Sequence, residues 1–155
     1  MNMRIAFVAE DNSKSSLTSH STNGQLWSDR SHVKNPNQSQ LSNAKPALAI
    51  FQEKLWIAFV ANNTDQLFVA NSVDGRQWSD RSRVQNPDQS QSSKTAPALA
   101  IFQEKLWIAF VANNDTNQLL VANSVDGQEW SDNIRVQNPD QSQSSKAAPA
   151  LSVHA

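Results

Sequence analysis

Three near-copies of one unit account for almost all of this 155-residue chain. The segment APALAIFQEKLWIAFVANN at 96–114 almost repeats KPALAIFQEKLWIAFVANN at 45–63. The triplet IAF recurs at Ile5, Ile57 and Ile108, and a G-x-x-W pair ends at Trp27, Trp78 and Trp130. The period is 51–52 residues. Self-similarity on this scale constrains the fold more than any local signal. A unit this short cannot bury its own apolar surface and must stack on its neighbours.

The middle copy reads as four strands. Residues 44–51 alternate small and large side chains from Ala47 to Ile50, the period-two pattern of a strand in crowded surroundings. Gln52, Glu53 and Lys54 form a short polar turn. Residues 55–61 (LWIAFVA) are apolar throughout, as expected of a strand buried on both faces. Turn chemistry at 62–65 precedes a third strand over 66–72. Asp74-Gly75 predicts a tight hairpin turn. A fourth, more polar strand follows over 78–84, and a polar loop over 86–94 leads to the next unit. No apolar stripe of 3.6-residue period is found that would support a helical repeat. Four strands growing more polar outward describe a propeller blade.

A family resemblance rests on the turn residues. Ser72, Asp74, Gly75 and Trp78 stand as Ser-x-Asp-Gly-x-x-Trp, and Ser124, Asp126, Gly127 and Trp130 repeat the pattern. Ser21, Asn23, Gly24 and Trp27 are a divergent third instance. With P-A-L-A-x-F and K-L-W-I-A-F, the unit resembles blades of lectin-type and sialidase-like propellers that carry an Asp-box. Those boxes have one more residue between Asp and Gly. The resemblance spans the chain and implies an all-β propeller. It says little about function, because one fold hosts many.

The unit boundaries predict how the blades assemble. Arg4 aligns with Trp56, so 1–43 is a first blade lacking its inner strand. Complete blades follow over 44–94 and 95–146. Residues 147–155 repeat the start of an inner strand, with Pro149 and Leu151 matching Pro97 and Leu99. Three blades fall short of the usual range of about four to eight. Two chains would close a six-bladed ring, each lending its terminal strand to the other's first blade. Burial of Leu151 and Val153 would contribute roughly 1.5–3 kcal/mol each. Three chains giving nine blades are the less favoured alternative.

Composition narrows the function classes. A formal net charge of -1 offers no electrostatic case for nucleic acid or an anionic membrane. No stretch approaches transmembrane length, and the apolar run near Met1 is too short for a secretion signal, so a cytoplasmic location is the default expectation. The chain has no cysteine, and no cofactor is called for. Sialidases use a Tyr nucleophile, and this chain has no Tyr. Arg4, Arg30, Arg76, Arg81, Arg83 and Arg135 fall mostly in or beside the outer strand, away from a propeller axis. Asp74 and Asp126 read as caps of their own turns, and Glu53 and Glu104 as solvated turn residues. No Ser/His/Asp set is discernible around His20, His32 or His154. The oxygen-rich run 113–117 lacks the carboxylate count of a calcium loop. An enzyme is therefore not expected.

The remaining expectation is binding. Trp56, Trp78, Trp107 and Trp130 are expected to fill space between blades, with Arg4 loosening the first. Loops after strands two and four should emerge on one face, at 62–66, 86–94, 113–118, 138–146 and 35–43. Their amides suit sugar hydroxyls. The candidate ligand-binding residues are Asn62, Asn63, Asp65, Gln89, Gln91, Asn113, Asn114, Asp115, Gln141 and Gln143. The lectin resemblance implies the same function, a non-catalytic carbohydrate-binding propeller. The alternative is a structural or protein-interaction propeller without a glycan ligand.

Overall fold

The computed structural model describes residues 1–35, 38–86, 89–139 and 141–154; the side chains of Asn35, Gln38, Asn86 and Gln89 lie outside that description. The first blade carries β1 (Met3–Val8), β2 (Ser16–Ser21) and β3 (Ser31–His32), then a small hairpin of β4 (Lys34–Asn35) and β5 (Gln38–Ser39). The second carries β6 (Ala47–Phe51), β7 (Lys54–Val60), β8 (Leu67–Ser72) and β9 (Ser82–Arg83), then β10 (Gln85–Asn86) and β11 (Gln89–Ser90). The third repeats this with β12 (Ala98–Phe102), β13 (Lys105–Val111), β14 (Leu119–Ser124), β15 (Ile134–Arg135), β16 (Gln137–Asn138) and β17 (Gln141–Ser142). Each main sheet is an antiparallel meander in chain order, three-stranded in blade 1 and four-stranded in blades 2 and 3. The architecture is all-β and blade-like, and no helix among the described residues is long and apolar enough to cross a membrane.

Alternation along the second strand of each blade builds the core. On β7, Trp56, Ala58 and Val60 belong to a cluster with Leu99, Leu106, Ile108, Phe110 and Trp130 of blade 3. The intervening Leu55, Ile57 and Phe59 belong to a second cluster with Val33 of blade 1 and with Phe68 and Trp78. The uniformly apolar stretch is therefore one strand feeding two cores, and both cores lie between blades. Successive side chains of a strand point to opposite faces, which makes this arrangement possible.

Each interface is keyed by a glycine. The Trp56 ring seats against Gly127 in the box turn of blade 3, where a Cβ would run into it. The Arg4 guanidinium seats in the same way against Gly75 of blade 2 and donates to the Asp74 carbonyl at 3.1 Å. Arg4 thus takes the tryptophan's place at the blade 1–2 interface. Gln52 adds a second link, its Nε2 donating to the Val125 carbonyl at 2.8 Å.

Several expected elements differ. Gln52 and Glu53 both have positive φ (50° and 61°), and Phe51 pairs with Lys54, so this is the two-residue hairpin turn. Asp74-Gly75 opens a longer connection: residues 73–81 separate β8 from β9. The expected fourth strand over 78–84 contracts to Ser82–Arg83, because Trp78 turns into the core. The polar loops over 35–43, 86–94 and 138–146 contain the small hairpins; residues 36, 37, 87, 88 and 140 within them lie outside the described residues. Residues 148–154 pair with no strand of their own chain among the described residues. Truncating Trp56 to Ala removes the ring that spans both an interblade core and the Gly127 seat. It should cost about 3–5 kcal/mol, read as a shift in the urea midpoint at unchanged slope.

Candidate functional site

Two grooves occur at equivalent positions between successive blades. The first, about 190 Å³, is lined by Ser39 and Leu41 of blade 1 and by Asn62, Asn63, Thr64 and Arg81 of blade 2. The second, about 200 Å³, has Ser90, Gln91 and Ser92 of blade 2 facing Asn113, Asn114 and Asn133 of blade 3, over Phe110 and Leu120. The small hairpin after each blade supplies one wall. The loop after the next blade's second strand supplies the other. A linker bridge holds them together: Ser42 pairs with Ala61, and Ser93 with Ala112.

The expected binding residues distribute unevenly. Asn62 and Asn63 share the first groove, and Gln91, Asn113 and Asn114 share the second. Asp65 does not line either. It adopts positive φ (55°) and its carboxylate accepts from Asn43 Nδ2 at 3.0 Å, tying the linker to the loop. Asp115 is exposed outside the grooves. Gln141 and Gln143 sit exposed at the open end of blade 3, and the Gln89 side chain lies outside the described residues. Asn114 also accepts from Thr116 N at 3.0 Å, so the oxygen-rich run 113–117 spends that oxygen on its own turn.

Two groove residues were missed from sequence, Arg81 and Asn133. Arg81, beside the outer strand β9, lines the first groove and lies over the Phe68 ring at 4.4 Å. Asn133 donates to Gln91 Oε1 at 2.6 Å across the second groove. They occupy one repeat position with Arg30, and that register was the available signal. At Gln91's counterpart, Gln40 is only 1% exposed, and its amide nitrogen and oxygen have no partner among the described residues. Its neighbours Ser39 and Leu41 line the first groove. A buried amide in this state costs about 1–3 kcal/mol unless a solvent or ligand hydroxyl meets it.

The box acids do different work. Asp74 accepts from Arg76 N and Gln77 N at 2.8 and 3.0 Å, and Asp126 from Gln128 N and Glu129 N at 2.7 and 3.0 Å. These backbone donors hold both carboxyls below the usual carboxylate value. Ser72 and Ser124 accept from the box glycine N–H at 2.8 Å. Asn23 makes the same two turn contacts in copy one, at 2.9 and 3.0 Å, with an uncharged side chain. A wider cavity of about 450 Å³ opens where Arg4 replaces tryptophan, between His20, Asp29, Asp74 and Arg76. Its lining departs from the repeat at several positions, with Arg4, Thr18 and His20 standing where blade 2 has Trp56, Val69 and Asn71. Trp78 and Trp130 are buried as expected, whereas Trp27 is 41% exposed and Trp107 half-buried.

A carboxyl held below its unfolded value of 3.8 contributes stability above that pH and loses it as pH falls through the folded value. Thermal melts between pH 2 and 5 should therefore show an acid-dependent drop. The Asp74→Asn, Asp126→Asn double variant, which copies the chemistry of Asn23, should flatten part of it. An unchanged acid profile would count against the capping role.

No family model matches the chain, and no curated protein matches it in sequence. Solved structures match in shape. The GH32 β-fructofuranosidase BmSUC1 of Bombyx mori superposes with a TM-score of 0.57 at 12% identity, over 83% of this chain and 31% of that one. A mutant of that enzyme in complex with sucrose gives 0.55 at 14% identity, with the same coverage. A fucose lectin from Kordia zhangzhouensis, in complex with methyl-fucoside, gives 0.52 at 12% identity, over 84% of this chain and 87% of that one. The chain thus spans about a third of the fructofuranosidase and most of the lectin chain. At such identities the likeness is one of fold.

Proposed function

We propose that this chain is a non-catalytic, lectin-like propeller that binds neutral sugar residues in the grooves between its blades. The observation that carries this reading is the recurrence of one polar groove at two equivalent interfaces, each lined mainly by amides and hydroxyls, with Arg81 added in the first. Such groups exchange short, uncharged hydrogen bonds with sugar hydroxyls. At about 190–200 Å³ the grooves are smaller than the roughly 300–1,000 Å³ of pockets for drug-sized ligands. That size suits a single sugar ring. Repeated weak sites on one scaffold gain from multivalency. The likeness to a fucose lectin over most of its chain supports the same reading. The box acids are committed to their own turns, which argues against their serving as a glycosidase pair.

The test is calorimetric titration with methyl-fucoside and a panel of neutral methyl glycosides, backed by a glycan array. The Asn62→Ala, Asn113→Ala double variant removes one amide from each groove. Each lost hydrogen bond is worth about 0.5–1.5 kcal/mol, so affinity at each groove should fall by roughly two- to tenfold while the melting curve stays in place. Silence across the array would favour a protein-interaction scaffold. Turnover of a chromogenic glycoside would overturn the non-catalytic reading.

A further inference from the structure

The two open ends of the three-blade arc are halves of the interface that recurs inside it. In blade 3, Phe102, Trp107 and Val121 occupy the positions that Phe51, Trp56 and Val69 hold in blade 2. Phe51 is 4% exposed under blade 3; Phe102, with no further blade over it, is 46% exposed. In blade 1, Ile5, Phe7 and Trp27 occupy the positions of Ile57, Phe59 and Trp78. They line an open cavity of about 310 Å³ with Ser19, Ser28 and Arg30. The glycine seats follow the same rule. Gly75 receives Arg4 and Gly127 receives Trp56, but Gly24, at a positive φ of 77°, has nothing within 4 Å of its Cβ position among the described residues.

The segment 151–154 already lies where the next blade's inner strand belongs. Leu151–His154 line a cavity of about 400 Å³ with Ala100, Phe102, Trp107 and Val121. The counterparts of Leu151 and Val153 in blade 3 are Leu99 and Ile101, which pack against Phe51 and Trp56 of blade 2. On the opposite end of the arc, β1 pairs only with β2 among the described residues, and its other edge is open there.

We infer that these ends bind each other between two copies of this chain, closing a two-fold ring of six blades. Trp107 of one copy seats on the partner's Gly24, as Trp56 does on Gly127. Residues 150–153 pair with the partner's β1 in the register of β6 on β7, which places Leu151 opposite Ile5 and Val153 opposite Met3. Gln103, whose positive φ (50°) matches that of Gln52, reaches the partner's Thr22 carbonyl as Gln52 reaches Val125. The occupant is a second copy because the two faces repeat the composition and register of an interface this chain already makes with itself. The seam also completes a third groove, between Ser142 and Gln143 of one copy and the partner's Glu10, Asp11 and Arg30, with an acidic wall where the internal grooves carry asparagine. The docking rests on the blade fold and not on the sugar reading, since both internal grooves form within one chain.

Two measurements test it. Sedimentation of the full chain should give the mass of two chains. Gly24→Asn keeps a residue that tolerates positive φ but adds a Cβ in the seat. Combined with Trp107→Ala, it should weaken pairing at least thirtyfold, about the effect of losing an interface hot spot, with the β-sheet circular dichroism and internal-groove titrations retained. A one-chain mass for the unaltered protein, or undiminished pairing in the double variant, would overturn the inference. The chain has no cysteine, so Met3→Cys with Val153→Cys reports register cleanly. Oxidation should yield a covalent two-chain species on a non-reducing gel. A cross-link within one chain, or a ladder of three or more, would overturn the two-copy ring.

Discussion

Blade-to-blade burial is the constraint on which everything else in this molecule depends. A four-stranded sheet with apolar side chains on both faces has no core of its own. Its second strand sends alternate residues to opposite neighbours, so Trp56 and Ile57, adjacent in sequence, belong to different cores. Stability therefore resides in interfaces, as expected of a stacked repeat. A blade left at an end keeps one apolar face uncovered, and Trp27 and Phe102 record this directly.

The box turn is the structural counterpart of that burial. Its serine and acid (or Asn23) satisfy the turn's backbone N–H groups locally, which lets the glycine adopt positive φ. The absence of a Cβ then admits the aromatic ring or guanidinium of the preceding blade. A motif that reads as a turn signal is equally a socket between blades. Trp56 and Arg4 fill their sockets with different chemistry, dispersion in one case and a charge-assisted hydrogen bond in the other. The guanidinium keeps the seat, and a polar cavity lies beside it.

The same stacking creates the grooves. Each is bounded by the hairpin of one blade and the loop of the next, so neither blade alone contains a groove. Differences between copies then tune the walls. Arg81 stacks on Phe68 in one groove, whereas its counterpart Asn133 bonds to Gln91 in the other. The Gln40 amide meets no such partner among the described residues, although its sequence context matches that of Gln91.

By itself, the sequence determined the repeat, its period and the first three strands of each complete unit. Those are local properties: period-two alternation from Ala47 to Ile50, and a uniformly apolar stretch from Leu55. It also marked Asn62, Asn63, Gln91, Asn113 and Asn114, because polar loops at a fixed phase of the repeat must emerge together. It misplaced the tight turn, since Gln52-Glu53 has no glycine to announce its positive φ. Tertiary structure alone decided which side chains meet across blades. Arg4 on Gly75, Trp56 on Gly127 and Asn133 on Gln91 are contacts between different copies. A repeat specifies each copy's own strands, but the partner of a side chain at an interface depends on how neighbouring sheets are rotated and spaced. That geometry is set only when both faces are buried at once.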